Sequence, residues 1–447
     1  MPETTPNYQM YRTASEMQPD RELQRRVFLT GTFDVKNFGD LLYPLIARHR
    51  LARIGVDVVP VSPTGAGTGL ADSMPSVGLQ DMLGGEIEVN GIVVGGGYVI
   101  HTHNMRFLEE YRSCGDFAVP GLWLGAAVAA SVRDVPFVWN APGVPHPFSP
   151  NQRVLVDAAV GAADYVSLRD RESLALLGAT ADKAIEIVPD SVAAIAQLWS
   201  LKELESPFRR LIQRKVGNPA ARYFVLHFRK ASLGAISPAD AAALVDDFAS
   251  AHDLCPIFVA IGQSLDDDSL ARAISHHLRT KHILLDDPLS LIEIAAAIGK
   301  SGLYVGASLH GYVVAAAYGI PGVAVALPFP RKFRGFLNHT GRQEDLTHNW
   351  QDAFAAAAIR MTEKEKPHIP DTVFSALDAH WKRIGEALED ADRNRGRRQA
   401  FLRSWLRAGM NAGGPAWAHL PFMMRNAAKQ AHGPRNNPSD LMAGTES

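Results

Sequence analysis

His310 is the residue of this chain best suited to move a proton. It stands in Gly306-Ala307-Ser308-Leu309-His310-Gly311, between an apolar strand over 303–305 and an apolar helix over 312–318. An imidazole titrates near neutral pH, so at the start of a buried helix, among small residues, it can donate or accept a proton. The bland alternative is a core histidine bonded to a backbone carbonyl. Three groups of cations could hold an anion beside it. Arg331, Lys332 and Arg334 follow the next apolar strand, in Pro328-Phe329-Pro330-Arg331-Lys332-Phe333-Arg334. Arg229 and Lys230 end the strand of His227 and Phe228, and adjacent cations at a strand's carboxyl end suit a phosphate or carboxylate. Arg169 closes another strand in Ser167-Leu168-Arg169-Asp170, where Asp170 either orients it or caps the next helix. Exposed loop charges and a structural Arg–Asp pair account for the same residues without a ligand.

Two carboxylates occupy comparable places. Asp40 lies in Asn37-Phe38-Gly39-Asp40, between a strand and a helix, where Gly39 lets the backbone approach a ligand and the free amides of the helix start favour an anion. Asn37 and Asp40 are equally good as plain helix caps. Asp190, in Pro189-Asp190-Ser191, either caps the next helix or faces a cleft. Gly95-Gly96-Gly97 follows an apolar strand and suits a tight turn, with or without a ligand beside it; no third spaced glycine completes a dinucleotide fingerprint. His101 and His103 come next, but no carboxylate or third ligand accompanies them, so no metal is expected.

These residues sit at the ends of a repeated strand–helix pattern. Strands are expected at 27–30, 56–61, 91–94, 136–141, 164–168 and 185–188, and again at 222–228, 256–261, 283–285, 303–305 and 322–327. Helical spacing fills the gaps, as at 40–54, 239–252, 268–278 and 290–298. Short apolar strands alternating with helices imply parallel sheets covered on both faces. The pattern breaks in a charged stretch over 201–219 and then restarts. The expected fold class is therefore α/β, with two doubly wound Rossmann-like domains over 26–205 and 216–370. Ligands in such sheets bind outside the strands' carboxyl ends, often between domains. Residues 1–25 read as a flexible leader, and 371–447 as a helical extension with a disordered tail. From Arg393 to Arg435 there are many Arg and Lys and no Asp or Glu, with Trp405, Trp417 and Phe422 interleaved. No clean amphipathic period is visible there. A helix packed across the domains is the preferred reading, and peripheral contact with anionic lipid the other.

Bulk properties narrow the function classes. The 447 residues are 47% hydrophobic and 21% charged, enough for buried cores and unlike a disordered chain. With 45 Lys and Arg against 47 Asp and Glu, no basic excess points to nucleic acid. Two cysteines, Cys114 and Cys255, exclude a disulfide framework and a thiolate zinc site, and fit a reducing cytoplasm. The longest uncharged apolar stretch, over 311–330, is interrupted by Gly319-Ile320-Pro321-Gly322 and reads as helix, turn and strand rather than a membrane span.

Taken in order, these motifs resemble the polysaccharide pyruvyl transferase family over roughly residues 27–340. The matching pieces are Asn37-x-Gly39-Asp40, the Gly95–Gly97 turn, Ser167-x-Arg169-Asp170 with Ser173, Pro189-Asp190, Leu309-His310-Gly311 and Gly319-Ile320-Pro321. The resemblance implies a GT-B-like pair of domains, with the acceptor on the first and the donor on the second. It implies transfer of the pyruvyl unit of phosphoenolpyruvate to a sugar of a cell-surface or exported glycan, free or lipid-linked, as a cyclic ketal. His310 would be the general acid, and Asp40 or Asp190 the base or orienting carboxylate. Arg169, Arg229 and Lys332 would hold phosphate and carboxylate. Asn37, Gly39, Gly96, Gly97, Lys230, Ser308, Leu309 and Arg334 complete the expected substrate-binding set. No cofactor or metal is required, and no nucleic acid is a partner. Many relatives carry Arg where this chain has Ser308. That departure implies charge supplied by Arg229, Lys230, Arg331, Lys332 or Arg334, a changed donor, or lost activity. A sugar-nucleotide glycosyltransferase of the same architecture and a non-catalytic glycan-binding relative are the competing readings.

Overall fold

The computed structural model describes residues 25–178, 183–328, 330–363 and 368–431. The expected leader up to residue 24, and the chain end from 432, lie outside the described residues. The first sheet holds β1 (Arg25–Thr30), β2 (Val56–Ser62), β3 (Val77–Gly78), β4 (Ile92–Val94), β5 (Phe137–Trp139), β6 (Tyr165–Leu168) and β7 (Glu186–Ile187). The second holds β8 (Tyr223–His227), β9 (Cys255–Val259), β10 (Ile283–Leu285), β11 (Tyr304–Gly306), β12 (Gly322–Val325) and β13 (Leu346–Thr347). Every pairing is parallel. The strand orders are β3-β2-β1-β4-β5-β6-β7 and β10-β9-β8-β11-β12-β13. Both orders reverse once, between β1 and β4 and between β8 and β11.

The central strands are buried on both faces. All three residues of β4 and all five of β8 are buried, which explains the apolar runs 92–94 and 223–226. The helices that bear on the site and its surroundings are α1 (Phe38–Leu51), α2 (Ala126–Arg133), α3 (Pro150–Ala162), α4 (Glu205–Arg214), α5 (Leu291–Gly299), α6 (Leu309–Ala317), α7 (Arg331–Thr340), α8 (Asp371–Glu389) and α9 (Arg395–Ala431). One apolar cluster crosses both domains. It joins Leu41 and Leu42 of α1 and Val192–Ile195 of the first to Ala295–Ile298 of α5 and Val313–Val314 of α6 in the second. Backbone bonds reinforce the junction, with the Phe38 N–H donating to the Ile261 carbonyl at 2.9 Å.

The charged stretch over 201–219, where the sequence pattern breaks, carries α4, which lies on α5, and Arg214 pairs with Glu293 at 2.8 Å and with Asp287 at 2.9 Å. Its alternating charge marks the outer face of a helix attached to the second domain. The extension, in turn, returns to the first domain. Helix α8 packs on β5, β6 and α1, and α9 on α2 and α3, with Phe401 buried there.

Arg398 of α9 is wholly buried and binds the Asp164 carboxylate at 2.9 and 3.2 Å. Asp164 also accepts the N–H of Phe137 at the start of β5. Removing one partner of a buried ion pair strands the other charge. Arg398→Ala should therefore cost about 3–5 kcal/mol in urea unfolding. A loss under about 1 kcal/mol would mean that the pair is open to water.

Candidate functional site

The four loops at the two reversal points meet in one cavity of about 340 Å³ between the domains. Asn37 and Asp40 follow β1, and Gly97 and Tyr98 follow β4; Arg229 follows β8, and Ser308, Leu309 and His310 follow β11. Arg169, His227, Asp267 and Lys332 line it too. Loops at the carboxyl ends of parallel strands are free to diverge at such a reversal, and the opening they leave is where ligands bind.

His310 reaches across the domain boundary. Its Nε2 lies 3.0 Å from the Tyr43 hydroxyl of α1 and 3.5 Å from Asp190 Oδ2. Tyr43 donates its hydroxyl hydrogen to Asp190 Oδ2 at 2.9 Å, so its oxygen accepts from His310 Nε2. Asp190 Oδ1 accepts the Val192 N–H at 3.0 Å, which makes Asp190 both a cap and a cleft residue. Burial works against its charge. The hydrogen bond and charge of His310, then Arg169 and the Val192 N–H, outweigh burial and bring the carboxyl down to about 2. Burial and the Asp190 charge push the Tyr43 phenol well up, so it remains a neutral bridge.

Glycines allow these contacts. A Cβ on Gly39 would lie 1.7 Å from His310 Nδ1, so the imidazole rests on bare α1 backbone. Gly97 takes a φ of 87°, in the left-handed region, and turns the chain over Asp40. Gly96 faces the Tyr43 ring rather than the cavity. Asn37 makes no cap with its side chain; its amide and the Thr32 hydroxyl both donate to Asp40 Oδ2, at 2.9 and 3.0 Å. Burial raises the Asp40 carboxyl, against the pull of His310, Thr32 and Arg169.

The cations separate into those that line the cavity and those that do not. The Arg169 guanidinium lies 3.7 Å from the centre of the Tyr98 ring, and its Nε is 3.3 Å from Asp170. Its Nη2 is buried without a hydrogen-bond partner. Asp170 also caps the next helix through the Ser173 N–H. Arg229 and Lys332 line the same cavity. Burial, then Arg229 and Arg169, push the Lys332 ammonium down to about 7. Lys230 and Arg334, both expected there, are exposed and do not line it. Lys230 follows Arg229 on extended backbone, where neighbours point to opposite sides. Arg334 is two residues from Lys332 on α7, nearly half a turn round the helix. Ser308 caps α6 by accepting the Gly311 N–H at 3.2 Å, and Leu309 forms part of the wall.

Three participants were not expected from the sequence. Tyr43 could have been found as the residue three after Asp40, on the same face of α1. Tyr98 follows the glycine turn directly. Asp267 is the third: its Oδ2 lies 2.8 Å from His227 Nε2 and accepts the Gly262 N–H at 2.9 Å. His227 Nδ1 and Asp267 Oδ1 are buried without partners. His227 had drawn notice only for the cations that follow it. Burial, then the neighbouring His103 and His146, bring His101 down to about 4. Its Nδ1 accepts the His103 N–H. Among the described residues no group of three or more His, Cys, Asp or Glu is placed to hold a metal, and no helix is long and apolar enough to cross a membrane.

The sequence matches the description "polysaccharide pyruvyl transferase" over residues 37–327, well over half of the chain. The chain belongs to the polysaccharide pyruvyl transferase family. No curated protein matches the sequence. Among solved structures, this family member is similar to the UDP-GlcNAc 2-epimerase of Methanocaldococcus jannaschii in complex with UDP-GlcNAc and UDP. The TM-score is 0.50 and the identity 14%, with 81% of this chain and 99% of that chain covered. It is also similar to a putative UDP-N-acetylglucosamine 2-epimerase from Listeria monocytogenes, with a TM-score of 0.51 and 14% identity over 83% of this chain and 98% of that one. These likenesses show the fold: two parallel α/β domains in a GT-B-like arrangement, with a helical C-terminal region on this pyruvyl transferase family member.

Proposed function

We propose that this transferase moves the pyruvyl unit of phosphoenolpyruvate onto two hydroxyls of a glycan as a cyclic ketal. One observation carries the reading. Arg169, whose Nη2 is unpartnered, lines one cavity with Arg229, Lys332 and His310, and Tyr43 and Asp190 stand buried behind the imidazole. A donor with a phosphate and a carboxylate on one three-carbon unit needs cations on both groups and an acid beside its methylene carbon.

In this scheme His310 Nδ1 gives its proton to the methylene carbon, since Nε2 is engaged by Tyr43. A sugar hydroxyl adds to the second carbon and loses its proton to Asp40, whose raised carboxyl suits it to accept one. The C–O bond to phosphorus's bridging oxygen then breaks, and phosphate leaves with that oxygen and the proton held on Asp40. A second hydroxyl adds at the same carbon to close the ketal and returns its proton to His310, so the reaction consumes one donor and one diol and releases one hydrogen phosphate. Asp190 stays ionised and steadies the imidazolium through Tyr43. Where many relatives have Arg, Ser308 serves as the α6 cap, and Arg229 with Lys332 supplies the charge.

The test is phosphate release from phosphoenolpyruvate with a panel of free and lipid-linked galactosides, glucosides and mannosides, with nucleotide sugars offered in parallel. Release that depends on an acceptor supports the reading. Nucleoside diphosphate release instead would replace it with glycosyl transfer.

Lys332 sets a pH dependence. An ammonium near 7 is charged below that pH and neutral above it. Calorimetric affinity for phosphoenolpyruvate should be highest below about 7 and fall several-fold by about pH 9, and Lys332→Arg should flatten the profile. An equally steep profile in the arginine variant would remove Lys332 from donor binding.

A further inference from the structure

We propose that the outward face of α9 docks on an anionic lipid surface. At 3.6 residues per turn, Arg403, Leu406, Arg407 and Met410 fall within about 100° of arc, opposite Phe401 and Trp405, which pack toward α2 and α3. Leu406 is 44% exposed and Met410 47%. Arg403 and Arg407 are exposed and have no ion pair among the described residues, whereas Arg395 and Arg398 are neutralised by Asp134 and Asp164. The helix breaks at Gly414, with φ 58° and ψ −152°, and bends so that Trp417 lies against Gly409 and Gly413. Leu420 beyond the break is 49% exposed.

Isolated exposed apolar residues are ordinary on a protein surface. Here two of them are interleaved with two free cations, on a segment without a single carboxylate from 393 to 431. That pattern complements negative headgroups with a shallow acyl boundary beneath them. The missing period over the whole segment has a structural explanation. The break at Gly414 changes the helix axis, so only the part before it keeps one register.

The direction of α9 gives the contact a place relative to the cavity. Asn394 donates to the carbonyls of Gly161, Ala162 and Ala163 at the end of α3, and Arg395 pairs with Asp134 at the end of α2. Both helix ends lie where the next strands begin. From there α9 climbs along α2 and α3 toward the strands' carboxyl ends, the side on which the cavity lies. If the proposed glycan acceptor is carried on a lipid, a bilayer bound to this face holds it beside the first domain. The lipid contact itself does not depend on that reading.

The full chain should co-sediment with vesicles of phosphatidylcholine containing roughly one-third phosphatidylglycerol, not with phosphatidylcholine alone, and should be released by about 0.5 M salt. The double variant Arg403→Glu/Arg407→Glu should lower binding at least about tenfold. Leu406→Gln/Met410→Gln should lower it several-fold while keeping the salt sensitivity. All four positions are away from the core, so melting temperatures should stay near the parent's. Absence of binding, equal binding to neutral vesicles, or a charge-reversed chain that binds like the parent would overturn the proposal. So would a dimer that dissolves on Leu406→Gln/Met410→Gln without lipid binding. The readout is lipid, so its failure leaves the pyruvyl transfer assay untouched, and failure of that assay leaves it intact.

Discussion

His310→Ala should lower acceptor-dependent phosphate release by about 10²–10⁴-fold, the contribution of a positioned acid, while the protein still folds. The ring has Tyr43 and Asp190 at Nε2 and the bare backbone of Gly39 against Nδ1. Removing it leaves Tyr43 bonded to Asp190, so no buried charge loses its last partner. Phosphoenolpyruvate affinity should change much less than turnover, because Arg169, Arg229 and Lys332 remain. Wild-type turnover with pure substrates would exclude His310 as the acid. An equal loss in Tyr43→Phe would shift the emphasis from the ring to the whole proton chain.

Gly39→Ala should be nearly as damaging, for a different reason. Gly39 has ordinary helical backbone, and alanine suits a helix better than glycine. Judged on backbone alone the change should be neutral or stabilising. The added Cβ, however, would meet His310 Nδ1 at 1.7 Å, far inside contact distance. Either the ring or α1 must move, and a displacement of about 1 Å in a reacting group can cost 10²-fold in rate. We therefore expect at least about a hundredfold loss of turnover together with lowered stability. The double variant Gly39→Ala/His310→Ala is the control. Without the ring the clash disappears, so it should be at least as stable as His310→Ala alone, a non-additivity expected only for residues in contact. If Gly39→Ala and His310→Ala add in stability, the close approach is not the reason for the glycine.

How much of this was legible follows from the physics of each part. The two doubly wound sheets were readable because parallel strands buried on both faces carry apolar runs, as in 92–94, 223–226 and 303–305. The strands at Val77–Gly78 and Leu346–Thr347 are two residues long and went unread; β7 is as short, but Ile185 and Val188 beside it lengthen its apolar run. His310, Asp40, Asp190, Arg169, Arg229 and Lys332 were legible because each sits at a strand's carboxyl end or a helix start. Which neighbour faces inward was not: Arg229 and Lys332 line the cavity while Lys230 and Arg334 do not, and that depends on backbone angles at single residues. Tyr43 was missed because it lies inside a helix, where a tyrosine usually means packing, and Asp267 because an aspartate opening a helix usually serves only the helix start. The reason for Gly39 was invisible too, since the ring it accommodates comes from 271 positions later in the chain.

The hydrogen-bonded chain is divided between the domains. Tyr43 and Asp190 belong to the first and His310 to the second, so any parting of the domains would separate the proposed acid from its partners. In the proposed reaction a phosphoester held by only one lobe would then meet no competent acid, and stray water could not consume it. The apolar cluster shared by α1, α5 and α6 makes the joined form the resting one. In the proposed reaction the molecule thus works as a two-key lock: both lobes must be seated before the donor can be spent.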